Sequence, residues 1–400
     1  MSIDRSRCYR VISGKFRIYP NKQQTQVLEQ TMEICRTLYN ESLDERRKDK
    51  GLKYYEQQGN LTIKRKITPI LQSIHTQVLQ DVLRRLDKAY KNYHRDPTHW
   101  RLPKFKRHHK YNSITYPQQP SFHVIGNKLR LAFVGLVKIK MHRNLRGNPK
   151  TCTIIRDVDR WFACFSYNNN REKIANGRTV GIDVGIKNWI TLSSGEMVDR
   201  PRFYDSAVGN IKKLQRNLSR KKKGSKNRKK ARIRFAKAWR KVRLQREDYC
   251  HKITSDLSKR FQTMVFERLD IQEMVESSVA CHKRQLTKNI LDASWYKLKQ
   301  LAAYKAEIVL IDPAGTTQKC SRCGFISEEK ITLDVRTYEC KNCGLVLDRD
   351  YNAAINILNT GQELTYVEES PLFVYTKKQT SDSNETRSPH PLGVGSSLGD

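Results

Sequence analysis

Two pairs of cysteines near the C-terminal end constrain the fold of this chain more than any other feature. Cys320-x2-Cys323 and Cys340-x2-Cys343 are separated by sixteen residues. Each pair can present two thiolates to one face of a tetrahedral ion, and this spacing is typical of a four-cysteine zinc site. Four thiolates leave no open coordination position, so the zinc is predicted to be structural. The alternative interpretation is a redox-active cysteine pair.

The second pair runs almost directly into DRDYNAAINILN, which is predicted to be the final helix and which carries Asp348 and Asp350. Two further acids lie in predicted strands: Asp183 within RTVGIDVG, and Glu267 at the end of FQTMVFE. A carboxylate inside a buried strand is costly unless it is paired or binds a metal. Taken alone, each acid could be a surface residue or a helix cap.

The order of these acids favours a catalytic role. An aspartate on the first strand, a glutamate ending a later strand and an aspartate on the last helix predict an α/β RNase H-like nuclease domain with the cysteine module inserted in it. We expect Asp183, Glu267 and Asp350 to hold two Mg²⁺ or Mn²⁺ ions about 4 Å apart and to hydrolyse a phosphodiester.

The net charge of +37 and the pI near 9.9 indicate a polyanionic partner, of which nucleic acid is the commonest. A protein that merely coats nucleic acid is the alternative. Residues 211–246 contain 18 Lys or Arg and no acid. This run predicts a helical hairpin that bends at Gly224–Ser225 and binds phosphates, rather than a solvated tail. Its predicted contacts are Lys221, Lys222, Lys223, Lys229, Lys230 and Arg240.

A second basic stretch, residues 101–116, alternates cations with aromatic residues, as base stacking combined with phosphate contact requires. A solvated loop with buried aromatic residues is the alternative. The predicted nucleic-acid contacts in this stretch are Arg101, Lys104, Lys106, Arg107 and Tyr111.

The N-terminal half is predicted to be a small β-barrel with an oligonucleotide-binding surface and a helical insertion. RVISGKFRIYP reads as a strand, and Asn21 with Gln24 forms a capping box for the helix that follows. The predicted domains are the barrel (1–19 and 96–175), the helical recognition insertion (20–95), the nuclease (176–315 and 345–370), the zinc finger (316–344) and a disordered tail (371–400).

No apolar run approaches the roughly 20 residues of a membrane span, and the first residues lack a secretory signal. We therefore predict no membrane partner and a cytoplasmic location.

The motifs GIDVGIKNWITLSSGE, VFERLDIQEM, the cysteine module with DRDYNAAINIL, and FRIYPNKQQ together resemble the TnpB (OrfB) family of insertion-sequence proteins, relatives of type V CRISPR nucleases. The resemblance covers residues 10 to 360. It implies a RuvC-type nuclease directed by a guide RNA from the end of its element, which cuts double-stranded target DNA beside a short adjacent motif. The acid directly before x-Asn-Ala-Ala is then Asp350, and Asp348 supports or caps it.

The resemblance also implies that the N-terminal barrel is the wedge domain and that the protein acts in a bacterial or archaeal cytosol in association with the nucleoid. It further implies a monomer or dimer on the RNA, and a transposase encoded by the same element as a further partner. A transposase-associated or non-cutting RNA-guided regulator of DNA is the alternative function.

Overall fold

The computed structural model describes residues 10–97, 100–145, 147–169, 176–280, 284–327 and 335–369. The predicted disordered tail and the first nine residues of the predicted barrel lie outside these ranges.

The strands are β1 (Arg10–Tyr19), β2 (Ser113–Tyr116), β3 (Phe122–Ile125), β4 (Lys128–Leu131), β5 (Gly135–Lys140), β6 (Thr151–Asp157), β7 (Arg160–Asn169), β8 (Thr179–Val184), β9 (Asn188–Leu192), β10 (Met197–Asp199), β11 (Thr263–Glu267), β12 (Glu307–Ile311), β13 (Thr337–Glu339) and β14 (Val346–Asp348). The helices are α1 (Lys22–Lys48), α2 (Tyr54–Ile67), α3 (Pro69–Gln72), α4 (Thr76–Arg95), α5 (Phe203–Ser219), α6 (Lys226–Arg260), α7 (Ile271–Ala280), α8 (Arg284–Ala293), α9 (Trp295–Ala303) and α10 (Arg349–Glu369).

The N-terminal sheet is antiparallel and has the strand order β2-β6-β7-β1-β5-β4-β3. Strand β1 is central because it pairs with β7 on one side and with β5 on the other. The two end strands contribute Tyr116 and Phe122 to the same buried core. The first strand of the chain and the later strand cluster therefore form one unit, as the sequence predicts.

Helices α1 to α4 fill the connection between β1 and β2. Helix α1 begins where predicted, because Asn21 Oδ1 accepts the Gln24 N–H (2.8 Å) and Gln24 Oε1 accepts the Asn21 N–H (3.0 Å). Its buried stripe, which includes Leu28, Met32 and Cys35, joins the core of the sheet. Helix α2 was not predicted from the sequence.

The second sheet has the order β10-β9-β8-β11-β12, in which β8, β11 and β12 run parallel and β9 and β10 antiparallel. Alternate side chains of β11 face opposite sides. Met264 and Phe266 pack in a core with residues of α6 and α9, whereas Val265 packs with Ile357 of α10. The sheet is thus covered by helices on both faces.

Helix α10 lies unusually close to β8. A Cβ atom on Gly181 would stand 2.2 Å from the Ala354 carbonyl oxygen and 2.6 Å from the Leu358 nitrogen, so only glycine permits this approach. The approach fixes the start of α10 above the sheet.

Two long insertions interrupt this second unit. The basic hairpin of α5 and α6 connects β10 to β11, and it turns at Gly224 (φ +84°) with Ser225 capping α6, as predicted. The cysteine module and the β13–β14 hairpin connect β12 to α10. Among the described residues, no helix has the length and apolar character needed to cross a bilayer.

Candidate active site

Asp183 lies in β8, Glu267 ends β11 and Asp350 stands in the first turn of α10. Strands β8 and β11 are parallel neighbours whose last registered pair is Ile182 with Phe266, so the two acids that follow lie at the same edge of the sheet. Helix α10 brings Asp350 to that edge because it packs across β8. The structure therefore brings together three acids that are distant in the sequence.

The electrostatics of the site reflect this proximity. Burial raises the pKa of Asp183 to about 8, with further contributions from the negative charges of Glu267 and Asp350. Burial also raises the pKa of Glu267, against a hydrogen bond that Thr316 Oγ1 donates to Glu267 Oε1 (2.5 Å). The cluster has an excess of buried negative charge that a divalent cation would neutralise.

Several cationic and polar groups partly neutralise the acids. Arg349 donates from Nε (3.3 Å) and Nη2 (3.1 Å) to Asp350 Oδ1, and Arg336 Nη1 is 3.7 Å from Asp350 Oδ2. Asn188 Nδ2 lies 3.4 Å from the same Oδ2. Lys299 Nζ donates to the Glu267 carbonyl oxygen (2.5 Å), and burial lowers the pKa of this lysine.

The donor set fits hard divalent cations, because it consists of carboxylate oxygens in a largely buried edge. Within the part of the chain that the structure describes, the one group of three or more candidate ligand atoms lying within 4.8 Å of one another is the four cysteines.

Asp348 has a different role from Asp350. Its Oδ1 accepts the backbone N–H of Asp350 (2.9 Å) and of Tyr351 (3.1 Å), as the capping residue of a helix does. This geometry agrees with the prediction that Asp348 caps the helix while Asp350 faces the other acids.

The four cysteine sulfurs form a compact cluster. The Sγ atoms of Cys320 and Cys343 are 3.7 Å apart, and those of Cys323 and Cys340 are 3.6 Å apart. Zinc with Zn–S bonds of about 2.3 Å places tetrahedral sulfurs about 3.8 Å apart. The cluster therefore has the dimensions of a zinc site.

Both cysteine pairs end in the same turn. Gly324 (φ +75°) and Gly344 (φ +67°) adopt left-handed conformations, and each N–H donates to the carbonyl of the first cysteine in its pair (3.0 and 2.9 Å). A hydrogen bond from the backbone of Phe325, then one from the side chain of Asn342, lowers the pKa of Cys323 to about 6. These hydrogen bonds favour the thiolate form of Cys323, which is the form that binds metal.

Two buried asparagines of α10 join the cysteine module to the nuclease helix. Asn352 Oδ1 accepts the Ser321 N–H (3.0 Å) and its Nδ2 donates to the Lys319 carbonyl (2.9 Å). Asn356 Nδ2 donates to the carbonyls of Lys319 (2.7 Å) and Thr316 (2.9 Å). We call this pair the asparagine clamp. Since Thr316 also binds Glu267, the clamp connects the first cysteine pair to two of the three acids.

Sequence reasoning missed the clamp, Thr316 and Arg349. A signal was available for the clamp, because Asn352 and Asn356 are four residues apart and therefore lie on one helix face, with apolar residues between them in the sequence. Polar side chains on a buried helix face need internal partners.

The basic hairpin presents its predicted cations unevenly. The side chains at its bend and at the start of α6 are exposed: Lys221, Lys222, Lys223, Lys229 and Lys230. Arg240 is instead buried, and its Nη1 donates to the Asp157 carbonyl (3.0 Å) and to Asp159 Oδ1 (2.8 Å). Burial tends to raise the pKa of Asp159, but hydrogen bonds from Lys237 and Arg240 lower this pKa to about 2. Arg240 therefore attaches α6 to the β6–β7 turn, and we withdraw it as a nucleic-acid contact.

The 101–116 stretch shows a similar division. Arg101, Lys104, Lys106 and Arg107 are exposed, whereas Tyr111 is buried in the N-terminal core, where burial raises its pKa. Tyr111 is thus unavailable for base stacking, because the phenol ring packs near Tyr39 (centroids 6.4 Å apart). The alternative of buried aromatic residues is correct for Tyr111 and for Tyr116, which lies in the same core, whereas Phe105 is exposed.

Comparison with known proteins identifies the family. The chain is 32% identical over 365 residues to a protein of Streptomyces pristinaespiralis named "Putative RNA-guided DNA endonuclease", and the match covers 87% of this chain and 88% of the relative. Residues 162–278 match the family profile OrfB_IS605, described as "Probable transposase". The chain belongs to the OrfB family.

Further matches extend over most of this OrfB protein. A relative from Escherichia coli K12, named "Putative RNA-guided DNA endonuclease InsQ", is 27% identical over 375 residues, covering 88% of this chain and 92% of the relative. Residues 295–357 match a "Cas12f1-like, TNB domain", and residues 12–58 match a "Helix-turn-helix domain", where the structure has most of β1, α1 and the start of α2.

One solved structure shares the overall fold. The protein in "Cryo-EM structure of the Cas12f1-sgRNA-target DNA complex" aligns with a TM-score of 0.54 at 16% identity, over 85% of this chain and 83% of that chain. The fold is therefore that of a Cas12f1-like protein.

Proposed function

We propose that this OrfB protein is an RNA-guided DNA endonuclease of an insertion sequence, with its nuclease site at Asp183, Glu267 and Asp350. The observation that carries the proposal is the convergence of these acids at one sheet edge, where Glu267 and Asp350 add to burial in raising the pKa of Asp183 to about 8. The names of the two OrfB relatives support the RNA-guided activity.

The strand order β10-β9-β8-β11-β12, with the acids on β8, β11 and α10, supports an RNase H-like domain of RuvC type. We further propose that the N-terminal sheet is the barrel that, with helices α1 to α4, reads the duplex beside the target. The domain limits given from the sequence remain predictions.

The three carboxylates would hold two Mg²⁺ or Mn²⁺ ions, which activate water and stabilise the leaving 3′ oxygen when bound. Thr316 orients the Glu267 carboxylate through its hydrogen bond, and the Asp348 cap fixes the first turn of α10 and with it Asp350. Arg349 neutralises part of the charge of Asp350. These contacts restrict the carboxylates to orientations directed at one sheet edge.

The proposals for zinc and for guide RNA rest on the cysteine cluster and on the exposed cations. We propose that Cys320, Cys323, Cys340 and Cys343 bind structural zinc, and that guide RNA and target DNA contact the exposed cations of the basic hairpin and of the 101–116 stretch. The charge of +37 supports a polyanion of that size.

The test is a cleavage assay with the full chain. We expect RNA from the end of the element to co-purify with the protein, and the complex to cut a matched plasmid in Mg²⁺ but not in EDTA. Asp183→Ala, Glu267→Ala and Asp350→Ala should each abolish cutting and leave RNA and target binding intact.

A matched control separates the two neighbouring aspartates. Asp348→Ser removes a carboxylate but keeps an oxygen that can cap α10, so this variant should still cut. An inactive Asp348→Ser protein beside an active Asp350→Ala protein would show that the third acid is misassigned. DNA nicking and joining at the element ends without RNA would instead establish the transposase alternative.

A further inference from the structure

A cavity of about 700 Å³ opens in the helical insertion, between the end of α1, the start of α2 and the last turns of α4. Three tyrosines and a histidine line it together with basic residues, and we call it the tyrosine cavity. Its aromatic residues are Tyr54, Tyr90, Tyr93 and His94. The volume falls in the range of small-molecule sites.

The aromatic rings are arranged as a wall. Tyr90 and His94 lie one helical turn apart and are stacked, with centroids 6.2 Å apart and planes inclined by 20°. Tyr93 meets His94 edge to face at 5.3 Å. Flat rings of this kind accept a stacked base, since every base offers a π-face.

The charge of the cavity is strongly positive. Among the described residues that line it, Asp87 is the single carboxylate, and it is shared by Arg46 (3.4 Å) and Lys91 (2.9 Å). The cations that line it are Arg46, Arg47, Lys50, Lys53 and Lys91. One carboxylate therefore leaves most of the positive charge without a counter-charge in the wall.

Arg46 adds a second, independent feature. It is 8% exposed, its Nε donates to Gln57 (2.6 Å), and its guanidinium lies 5.4 Å from the Tyr90 ring centre. With the Tyr90 ring beside its guanidinium, Arg46 places a cation at the aromatic wall of the cavity.

We propose that the tyrosine cavity binds one unstacked nucleotide of a single-stranded segment, with the base against the Tyr90–His94 wall and a phosphate at Lys91 and its neighbouring cations. Aromatic walls combined with uncompensated positive charge match a nucleotide, whereas an apolar ligand would leave the cations without partners. The inference rests on the proposed function and specifies a contact that this function does not require.

Photo-crosslinking of the full chain tests the site directly. The probes are thiouridine-containing RNA and thiothymidine-containing DNA oligonucleotides of about 12 residues. We expect adducts on Tyr90, Tyr93 or His94 in mass spectrometry. Adducts with the RNA probe assign the site to the guide, and adducts with the DNA probe alone assign it to a target strand. Adducts on the basic hairpin with none in the cavity would overturn the proposal.

Two matched variant pairs test the contacts in solution. Lys91→Gln and Lys48→Gln each remove one exposed lysine from an i,i+4 ion pair with a 2.9 Å contact, but only Lys91 lines the cavity. We expect Lys91→Gln to reduce the slope of log K against log salt by about 0.7 for a single strand, and Lys48→Gln to keep the parent slope. Equal slopes for the two variants would contradict the phosphate contact.

The second pair tests stacking. Tyr93→Ala should weaken binding of the crosslinkable probe about tenfold, whereas Tyr296→Ala, which removes an exposed tyrosine of α9 outside the cavity, should not. Guided cleavage distinguishes the cavity site from the proposed function. If the protein cuts a matched plasmid but the variants show none of these effects, only the cavity site is refuted. A protein that binds no RNA refutes the proposed function.

Discussion

Removal of the asparagine clamp should uncouple the cysteine module from the candidate active site. In Asn356→Ala, the Thr316 carbonyl loses its bond from the clamp, while the Lys319 carbonyl keeps its bond from Asn352. A buried polar group that loses its partner costs about 1–3 kcal/mol. Each single alanine variant should therefore lower the free energy of unfolding by about that amount.

The double variant should cost more than the sum of the two. Lys319 O accepts from both asparagines, so either one alone can satisfy it, and only the double alanine variant leaves it unpaired. The additional cost predicts a coupling of about 1–3 kcal/mol in a double-mutant cycle. Urea unfolding of the four proteins measures this coupling.

The same variants should affect metal binding and cutting. Because the asparagines bind the backbone beside Cys320, the double variant should release zinc faster to a chelating dye. Because Thr316 orients Glu267, it should also cut DNA more slowly at saturating Mg²⁺. Asn359→Ala, an exposed position on the same helix, is the control and should change neither property. Additive stabilities within about 0.5 kcal/mol, or normal cutting by the double variant, would refute the reasoning.

Three further changes test other parts of the structure. Without metal, the folded protein keeps a proton on Asp183 that the unfolded chain loses, so the free energy of unfolding should fall as pH rises from 3.8 to about 8. Urea titrations in EDTA should show a smaller fall for Asp183→Asn. An unchanged pH dependence in this variant would contradict the raised pKa of Asp183. Gly181→Ala should displace α10 and lower both the melting temperature and the rate of cutting. Its control, Gly209→Ala at an open helical site, should be neutral or stabilising by about 0.5–1 kcal/mol. Equal melting temperatures for the two variants would show that the close approach of α10 to β8 is unimportant. The last change replaces four lysines at the bend of the basic hairpin by glutamine: Lys221, Lys222, Lys229 and Lys230. In a filter-binding titration, the slope of log K against log salt for duplex binding should fall by up to about 0.9 per lost contact, with target choice unchanged. A slope equal to the parent's would identify the bend as a solvated segment.

Features that depend on local chemistry could be predicted from the sequence. The capping box at Asn21, the bend at Gly224 and the two cysteine turns each rest on a few neighbouring residues with specific conformational preferences. The strand positions of Asp183 and Glu267 followed from the apolar residues around them. Local preference was sufficient at these positions because tertiary packing reinforced it.

Features that depend on distant partners could not be predicted. The central place of β1 is decided by pairing with β5 and β7, more than a hundred residues away in the chain. Arg240 reads as one more cation in a basic run, and its burial depends on Asp157 and Asp159 in the other unit. Helix α2 has polar faces and an internal Gly59, so its sequence contains only a weak helical pattern.

The position of α10 has a consequence for the order of events during synthesis. The ribosome completes the N-terminal sheet, the helical insertion and the basic hairpin before it reaches the helix that brings Asp350 to the sheet edge. In the nascent chain the cluster of acids therefore stays incomplete until α10 has been synthesised and has packed against β8.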